Sequence, residues 1–243
     1  MSVTPSVRSS AEERVWPRGT LMARLSGRAG KDLLARARPR AISAGTVLMS
    51  QGEKRDHVLL LRSRDAETDA CVKISATSRS GHESLLGIRV SGDVVGELAA
   101  LRGTPRTATV TTCAATLVHS IPRDSFIAFL NEHTEAWEAM CRMIADRLDW
   151  ANRRRLEFTG YDIPDRLARV LLELTEQYGR ATAKGYDLGV RLSHAELGKL
   201  IGASEDAIGL GLRRLRARRL VTSAYRSVTI NDLDRLREFA DAM

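Results

Sequence analysis

The sequence predicts an α+β chain in three parts: an N-terminal β-roll of the jelly-roll kind, a long helix, and a C-terminal winged helix-turn-helix. Three observations predict it. Between Ala41 and Pro122, short β-branched segments alternate with Gly, Asp and Ser, the rhythm of an all-β barrel or jelly roll. From about Arg123 to Phe158 apolar residues recur at helical spacing with neither Pro nor Gly between them. The stretch LSHAELGKLIGASEDAIGLGLRRLRARRLV, residues 192–221, reads as two short helices joined by a tight turn.

Composition bounds the reading. A chain of 243 residues, 43% of them hydrophobic, suits one large domain or two modest ones with a packed core. A net charge of +8 mildly favours polyanionic partners. Apolar runs such as Val58 to Leu61 are too short to cross a bilayer, and no signal-peptide layout stands near Met1. A soluble, cytoplasmic protein with no membrane partner is expected. Cys71, Cys113 and Cys141 are scattered, which argues against a disulfide framework, an iron–sulfur cluster or a zinc site and for small buried side chains. The histidines show no HxxxH or HxH pairing, so no metal is expected.

Each element follows in order. Residues 1–14 are polar and aperiodic and read as a mobile tail. LMARLSGRAGKDLLARARP gives short helices, interrupted by Gly27 and Gly30, before Pro39. GTVLMSQGE, DHVLLLRS, CVKISATS, ESLLGIRVSGD, TATVTTC and ATLVHSIP are the strands, with RDAETDA a solvent-exposed hairpin tip; residues 15–130 form the effector domain. In residues 131–160, Trp137, Ile144, Ala151 and Phe158 recur every seven residues, with Cys141 and Leu148 on an adjoining row. Such a seam packs a helix on another helix and predicts a homodimer. The alternative is packing on its own barrel, and Arg147 and Arg154 interrupt one side of the row. Gly160 ends the long helix, and residues 161–243 follow with Asp162 as a cap and Pro164 in the first turn. An apolar stripe of Leu167, Val170, Leu171 and Leu174 follows, then a Gly-containing loop, the two short helices, a strand Ser227 to Ile230 and a terminal helix from near Asn231.

GDVVGELAALRGTPRTATV, residues 92–110, carries the first candidate site. Gly96 lets the chain turn into a short helix, Glu97 to Leu101, whose first N–H groups are open to an anion. Beyond Gly103 and Pro105, Arg106 brings a guanidinium and Thr107 a hydroxyl to the same place, and Glu97 an acceptor suited to a ribose hydroxyl. The competing reading pairs Glu97 with Arg106 across a barrel turn, with no ligand.

Gly96, Glu97, Leu98, Arg106, Thr107 and Ala108 match in order and spacing the phosphate-binding cassette of the Crp–Fnr family of bacterial transcription regulators, and from about Trp16 to Phe239 the chain resembles that family. The resemblance implies that Arg106 and Thr107 hold a cyclic phosphate, that Glu97 holds the ribose, and that the helix from Trp137 to Phe158 joins a homodimer. Where cyclic-AMP-responsive members carry Thr-Ser on that helix, this chain has Ala151-Asn152. Asn152 can still bond a base, so cyclic AMP, cyclic GMP, another nucleotide and no ligand all stay open. The iron–sulfur branch is excluded by its absent cysteine cluster.

The two short helices carry the second candidate site. Ser193 starts the first, with Glu196 three residues on as a capping box, and His194 follows. Leu197, Leu200 and Ile201 face inward, Gly202-Ala203 turns, and Ser204 caps the second helix. In the family that helix lies in the major groove of double-stranded DNA. Its early exposed positions are here Glu205, Asp206, Gly209 and Leu210, where better-known members carry Arg, Glu, Gly and Arg. An Arg fork on guanine gives about 1–3 kcal/mol of discrimination, which neither Glu205 nor Leu210 supplies. Gly209 and Gly211 each weaken the helix by about 0.8–1 kcal/mol against Ala. Arg213, Arg214, Arg216, Arg218 and Arg219 follow, as phosphate contacts or as a solvated face. The expectation is a one-component regulator working with RNA polymerase, its base readout diverged. The alternative is an adaptor or heteromeric co-regulator acting with a second regulator protein. No nucleophile–base pair, metal site or Walker-type loop supports an enzyme.

Overall fold

The computed structural model describes residues 16–64 and 70–241. The expected tail at 1–14 and nearly all of the expected RDAETDA hairpin tip lie outside the described residues.

The first elements among the described residues are two short helices, α1 (Leu21–Arg24) and α2 (Gly27–Ala35). The Thr20 and Ser26 hydroxyls cap them, each accepting from an N–H three residues on. The break therefore falls at Leu25-Ser26, and Gly30 stays inside α2, where a Cβ would stand 3.2 Å from Met22.

The β-roll consists of two four-stranded antiparallel sheets. One orders β1 (Pro39–Ile42), β8 (Thr116–Ile121), β3 (Val58–Ser63) and β6 (Val94–Val95); the other orders β2 (Val47–Met49), β7 (Thr109–Thr112), β4 (Cys71–Thr77) and β5 (Glu83–Val90). The unbroken apolar run in β3 has a packing cause. Leu59 and Leu61 face the core between the sheets with Val72, Val95, Val110 and Val118. Val58 and Leu60 face the opposite way, onto Leu21, Leu33, Phe126, Phe129 and Met140. A strand covered on both faces loses its polar alternation.

The helical stretch after Pro122 is two helices, α4 (Arg123–Glu132) and α5 (Thr134–Gly160). His133 leaves helical geometry between them; its ring packs against Phe129 and its Nε2 lies 3.0 Å from Asp32. Asp162 then caps α6 (Ile163–Tyr178), accepting from the Asp165 N–H, with a proline in the first turn.

The expected Gly-containing loop is instead a hairpin, β9 (Arg180–Thr182) and β10 (Gly185–Asp187). It is strand because β10 pairs with β12 (Ser227–Ile230), which pairs in turn with β11 (Val221–Ala224). Around this sheet lie α7 (His194–Ile201), α8 (Glu205–Ala217) and α9 (Leu233–Asp241), completing the winged helix-turn-helix.

This C-terminal unit packs on the β-roll. Cys71, Leu85, Ile88 and Val90 share one apolar cluster with Leu171, Leu197 and Leu200. Lys73 pairs with Glu196 at 3.0 Å, Lys199 with Glu83, and the Tyr178 hydroxyl donates to the Ile88 carbonyl at 3.1 Å. Among the described residues no helix is long and apolar enough to cross a membrane.

Candidate functional site: an anion cavity and an exposed helix

Gly96 turns the chain from β6 into α3 (Glu97–Arg102) in the left-handed region, φ 83°. A Cβ there would stand 2.5 Å from Nη1 of Arg106, so only glycine lets the guanidinium approach. That guanidinium donates to the Gly96 carbonyl at 2.9 Å and to the His57 carbonyl at 2.6 Å. It is 3% exposed, and its Nε is buried with no partner among the described residues. Burial pulls its pKa below the ordinary arginine value.

Gly96, Glu97, Leu98, Arg106 and Thr107 line one cavity of about 180 Å³, with Met49, Arg89 and Arg147. The structure thus brings together five of the six expected ligand residues. Thr107 sits exposed at the rim. Asn152 is apart from them, exposed on α5.

Glu97 is buried and does not pair with Arg106. Its carboxylate accepts from Arg147 of α5 at 2.6 Å, and Arg147 also donates to Asp93 and to the Val94 carbonyl, both at 3.2 Å. Burial works against the Arg147 charge, but Glu97 and Asp93 together outweigh it and raise its pKa. Burial lifts the Asp93 carboxyl above its usual range, against the pull of Arg147 and Arg89. Arg147, which interrupts the helix seam in sequence, is therefore a wall of the cavity. No local sequence signal marks that role, because its partners Glu97 and Asp93 stand 50 and 54 positions away. Arg89, also missed, lines the same wall; burial and then the nearby Arg147 lower its pKa.

The second site is built from α7 and α8. Ser193 and Glu196 form a capping box, so the Ser193 hydroxyl is committed to the helix start. His194 is exposed, its Nδ1 3.9 Å from where a Gly209 Cβ would stand. Ser204 caps α8 by accepting from the Ala207 N–H at 3.3 Å. Glu205, Asp206, Leu210 and Arg213 are exposed and Gly209 is half-buried along one side of α8, with Leu210 59% exposed. Ile208, Leu212 and Leu215 are buried. The basic run divides. Arg213 continues the exposed side, whereas Arg214 lies 3.4 Å from Asp162 and, with Arg218, over the Phe239 ring. The two glycines also separate: a Cβ on Gly211 would stand 3.0 Å from Leu167 of α6, while Gly209 has room.

One group of metal-type side chains occurs among the described residues, Asp32, Glu132 and His133. Arg36 pairs with both of its carboxylates, so the cluster already has its cation.

Residues 39–133 match the model of the cyclic nucleotide-binding domain, and residues 165–239 match that of the Crp-like helix-turn-helix domain. The chain belongs to the Crp–Fnr family of transcription regulators. Proteins of this family are regulators and not enzymes. Relatives of this Crp–Fnr chain include the CRP-like cAMP-activated global transcriptional regulator of Mycobacterium tuberculosis, 28% identical over 79% of this chain and 83% of the relative. The cAMP-activated global transcriptional regulator CRP of Salmonella typhimurium is 22% identical over 76% of this chain and 85% of its own. Among solved structures, the c-di-GMP responsive regulator CLP of Xanthomonas campestris has a TM-score of 0.70 at 20% identity, covering 85% of this chain and 100% of that one. FixK2 of Bradyrhizobium japonicum has a TM-score of 0.72 at 17% identity, covering 85% and 98%.

Proposed function

We propose that this Crp–Fnr regulator acts in the cytoplasm as a homodimer that binds double-stranded DNA through α7 and α8 and senses a small anionic ligand, a cyclic nucleotide, in the α3 cavity. The observation that carries the reading is the Arg106 guanidinium, fixed by two carbonyls beside a cavity of about 180 Å³ with one buried N–H unpartnered. Arg106 and Thr107 would take the phosphate, Gly96 and Leu98 shape the wall, and Glu97, held by Arg147, would accept from a ribose hydroxyl. The cAMP-activated relatives favour cyclic AMP; cyclic GMP carries the same phosphate and ribose. Asn152 lies on the exposed side of α5 and would reach a base only across the dimer.

The link from ligand to DNA runs through α5. A ligand that engages Glu97 competes with or reinforces the Glu97–Arg147 pair, and so favours one arrangement of the two long helices over another. Two α8 helices would then meet half-sites about 34 Å apart, one turn of DNA. His194, Ser204, Glu205, Asp206, Gly209, Leu210 and Arg213 face the duplex, Ser193 supports the helix start, and Arg214 lies at the edge of the surface. RNA polymerase is the partner on the promoter.

The acids at Glu205 and Asp206 favour a second reading: a nucleotide-sensing adaptor that acts with a second regulator protein, its own DNA grip weakened. Gel shifts on genomic fragments at low and rising salt, with and without cyclic AMP or cyclic GMP, separate the two. The regulator reading expects shifted fragments whose affinity falls with salt and changes with one nucleotide. No shift at low salt under any condition supports the adaptor.

A further inference from the structure

Cys71 and Cys113 are far apart in sequence, which argues against a disulfide framework, but separation along the chain says nothing about strand pairing. β4 and β7 are antiparallel neighbours with Val72 opposite Thr112. One step further along the same register, Cys71 faces Cys113. The Cys113 N–H donates to the Cys71 carbonyl at 2.7 Å, as in a hydrogen-bonded antiparallel pair. Residues so opposed project to one face with Cα atoms about 5.5 Å apart, inside the roughly 4.4–6.8 Å of a disulfide, and their Cβ atoms, about 5 Å apart, must approach to about 4 Å. A side-chain hydrogen bond links the two thiols and lowers the Cys113 pKa. The two sulfurs thus already meet, and a bond between them requires only a small closure.

We propose that Cys71 and Cys113 form a reversible dithiol–disulfide site, oxidised by a hydroperoxide such as hydrogen peroxide. Cys113 is the attacking sulfur, because it is half-buried where Cys71 is buried. The contact with Cys71 holds its thiol below the ordinary range against burial and the nearby Glu196, and Lys73 and Arg226 add positive charge. The Cys113 thiolate attacks one peroxide oxygen. The O–O bond breaks and the other oxygen leaves with a proton as water or an alcohol, giving a sulfenic acid. The Cys71 sulfur then attacks the Cys113 sulfur, the S–O bond breaks, and the hydroxyl leaves with the Cys71 proton as water. Two thiols and one hydroperoxide become one disulfide, one alcohol or water, and one water; the two electrons pass from sulfur to the peroxide.

The location gives the bond a consequence. Cys71 belongs to the apolar cluster that α7 shares with the β-roll, and Cys113 packs against it. Beside the pair, Glu196 holds Lys73 of β4 and Arg226 of the wing turn while capping α7. A covalent change here sits at the junction between the effector domain and the winged helix.

The test uses the full chain carrying Cys141→Ser, which leaves these two thiols alone. Mild hydrogen peroxide, then denaturation in N-ethylmaleimide and intact mass spectrometry, should give monomeric chain lighter by two hydrogens and unalkylated. Dithiothreitol should restore two alkylations, and peptide mapping should show Cys71 joined to Cys113. In Cys71→Ser, the same treatment should leave a Cys113 sulfenic acid that dimedone traps. Two alkylatable thiols after oxidation, a covalent dimer, or oxidation without linkage would overturn the proposal.

Discussion

The Arg147 guanidinium on α5 donates to the Glu97 carboxylate on α3 at 2.6 Å and to Asp93 at 3.2 Å. All three side chains are largely buried. The long helix and the cavity's acidic residue therefore form one charge cluster. A change at the Glu97 carboxylate therefore changes the surroundings of α5.

Arg147→Met strips two buried carboxylates of their shared cation. Breaking such a pair costs about 3–5 kcal/mol, and urea unfolding should report a loss of that order. Glu97→Gln in the same chain should recover part of it, because the amide carries no charge to leave unpaired. Strictly additive losses in the double-mutant cycle would mean that the two side chains do not interact.

The helix-turn-helix was the most legible part of the chain, because its signals are local. Ser193 with Glu196, Gly202, and Ser204 each cap or turn within a few residues. The longer strands were legible from β-branched runs between Gly and Asp. Two strands of the β-roll were not: β6 has two residues, and β1 begins on a proline with an exposed face. β9 and β10 read as loop because they are short and largely exposed; they are strand because they pair with each other and β10 pairs with β12. Arg147 was illegible for another reason. Its partners lie 50 and 54 positions away, and only the approach of α5 to β6 and α3 joins them. The division of Arg213 from Arg214 likewise depends on where Phe239 and Asp162 come to rest.

The glycines of the helix-turn-helix should respond in opposite directions. A Cβ on Gly198 would collide with the Ala203 carbonyl oxygen, which is backbone and cannot swing aside. Gly198→Ala should lower stability by about 1–3 kcal/mol. Gly209→Ala meets nothing closer than 3.9 Å and should raise it by about 0.8–1 kcal/mol through helix propensity. Thermal melts of the two variants check both signs.

On α5, Leu148 is 59% exposed and Phe158 45%, and Cys141 and Ala151 of the same two adjoining rows are also exposed. If these rows are the seam of a dimer, Leu148→Lys should shift sedimentation equilibrium toward the monomer. Because the side chain touches little within its own chain, unfolding of the monomer should change by less than about 0.5 kcal/mol. An unchanged dimer would move the interface elsewhere.

The Glu196 contacts should be sensitive to acid. Burial pushes this carboxyl up, but the Ser193 N–H and Lys73 outweigh it and hold its pKa below the ordinary glutamate value. A depressed folded pKa adds stability above the unfolded value, and that stability is lost as pH falls through the folded value. As pH falls from neutral through the folded value, the wild type should therefore lose more unfolding free energy than Glu196→Gln. Equal losses would show that the carboxylate contributes nothing across the junction.

Titration calorimetry of the full chain with cyclic AMP and cyclic GMP, repeated on Arg106→Ala, tests the anion cavity most directly. The account predicts binding of one of these nucleotides by the wild type and none by the variant, with both proteins giving the same circular dichroism. Equal affinity in the two proteins would contradict it.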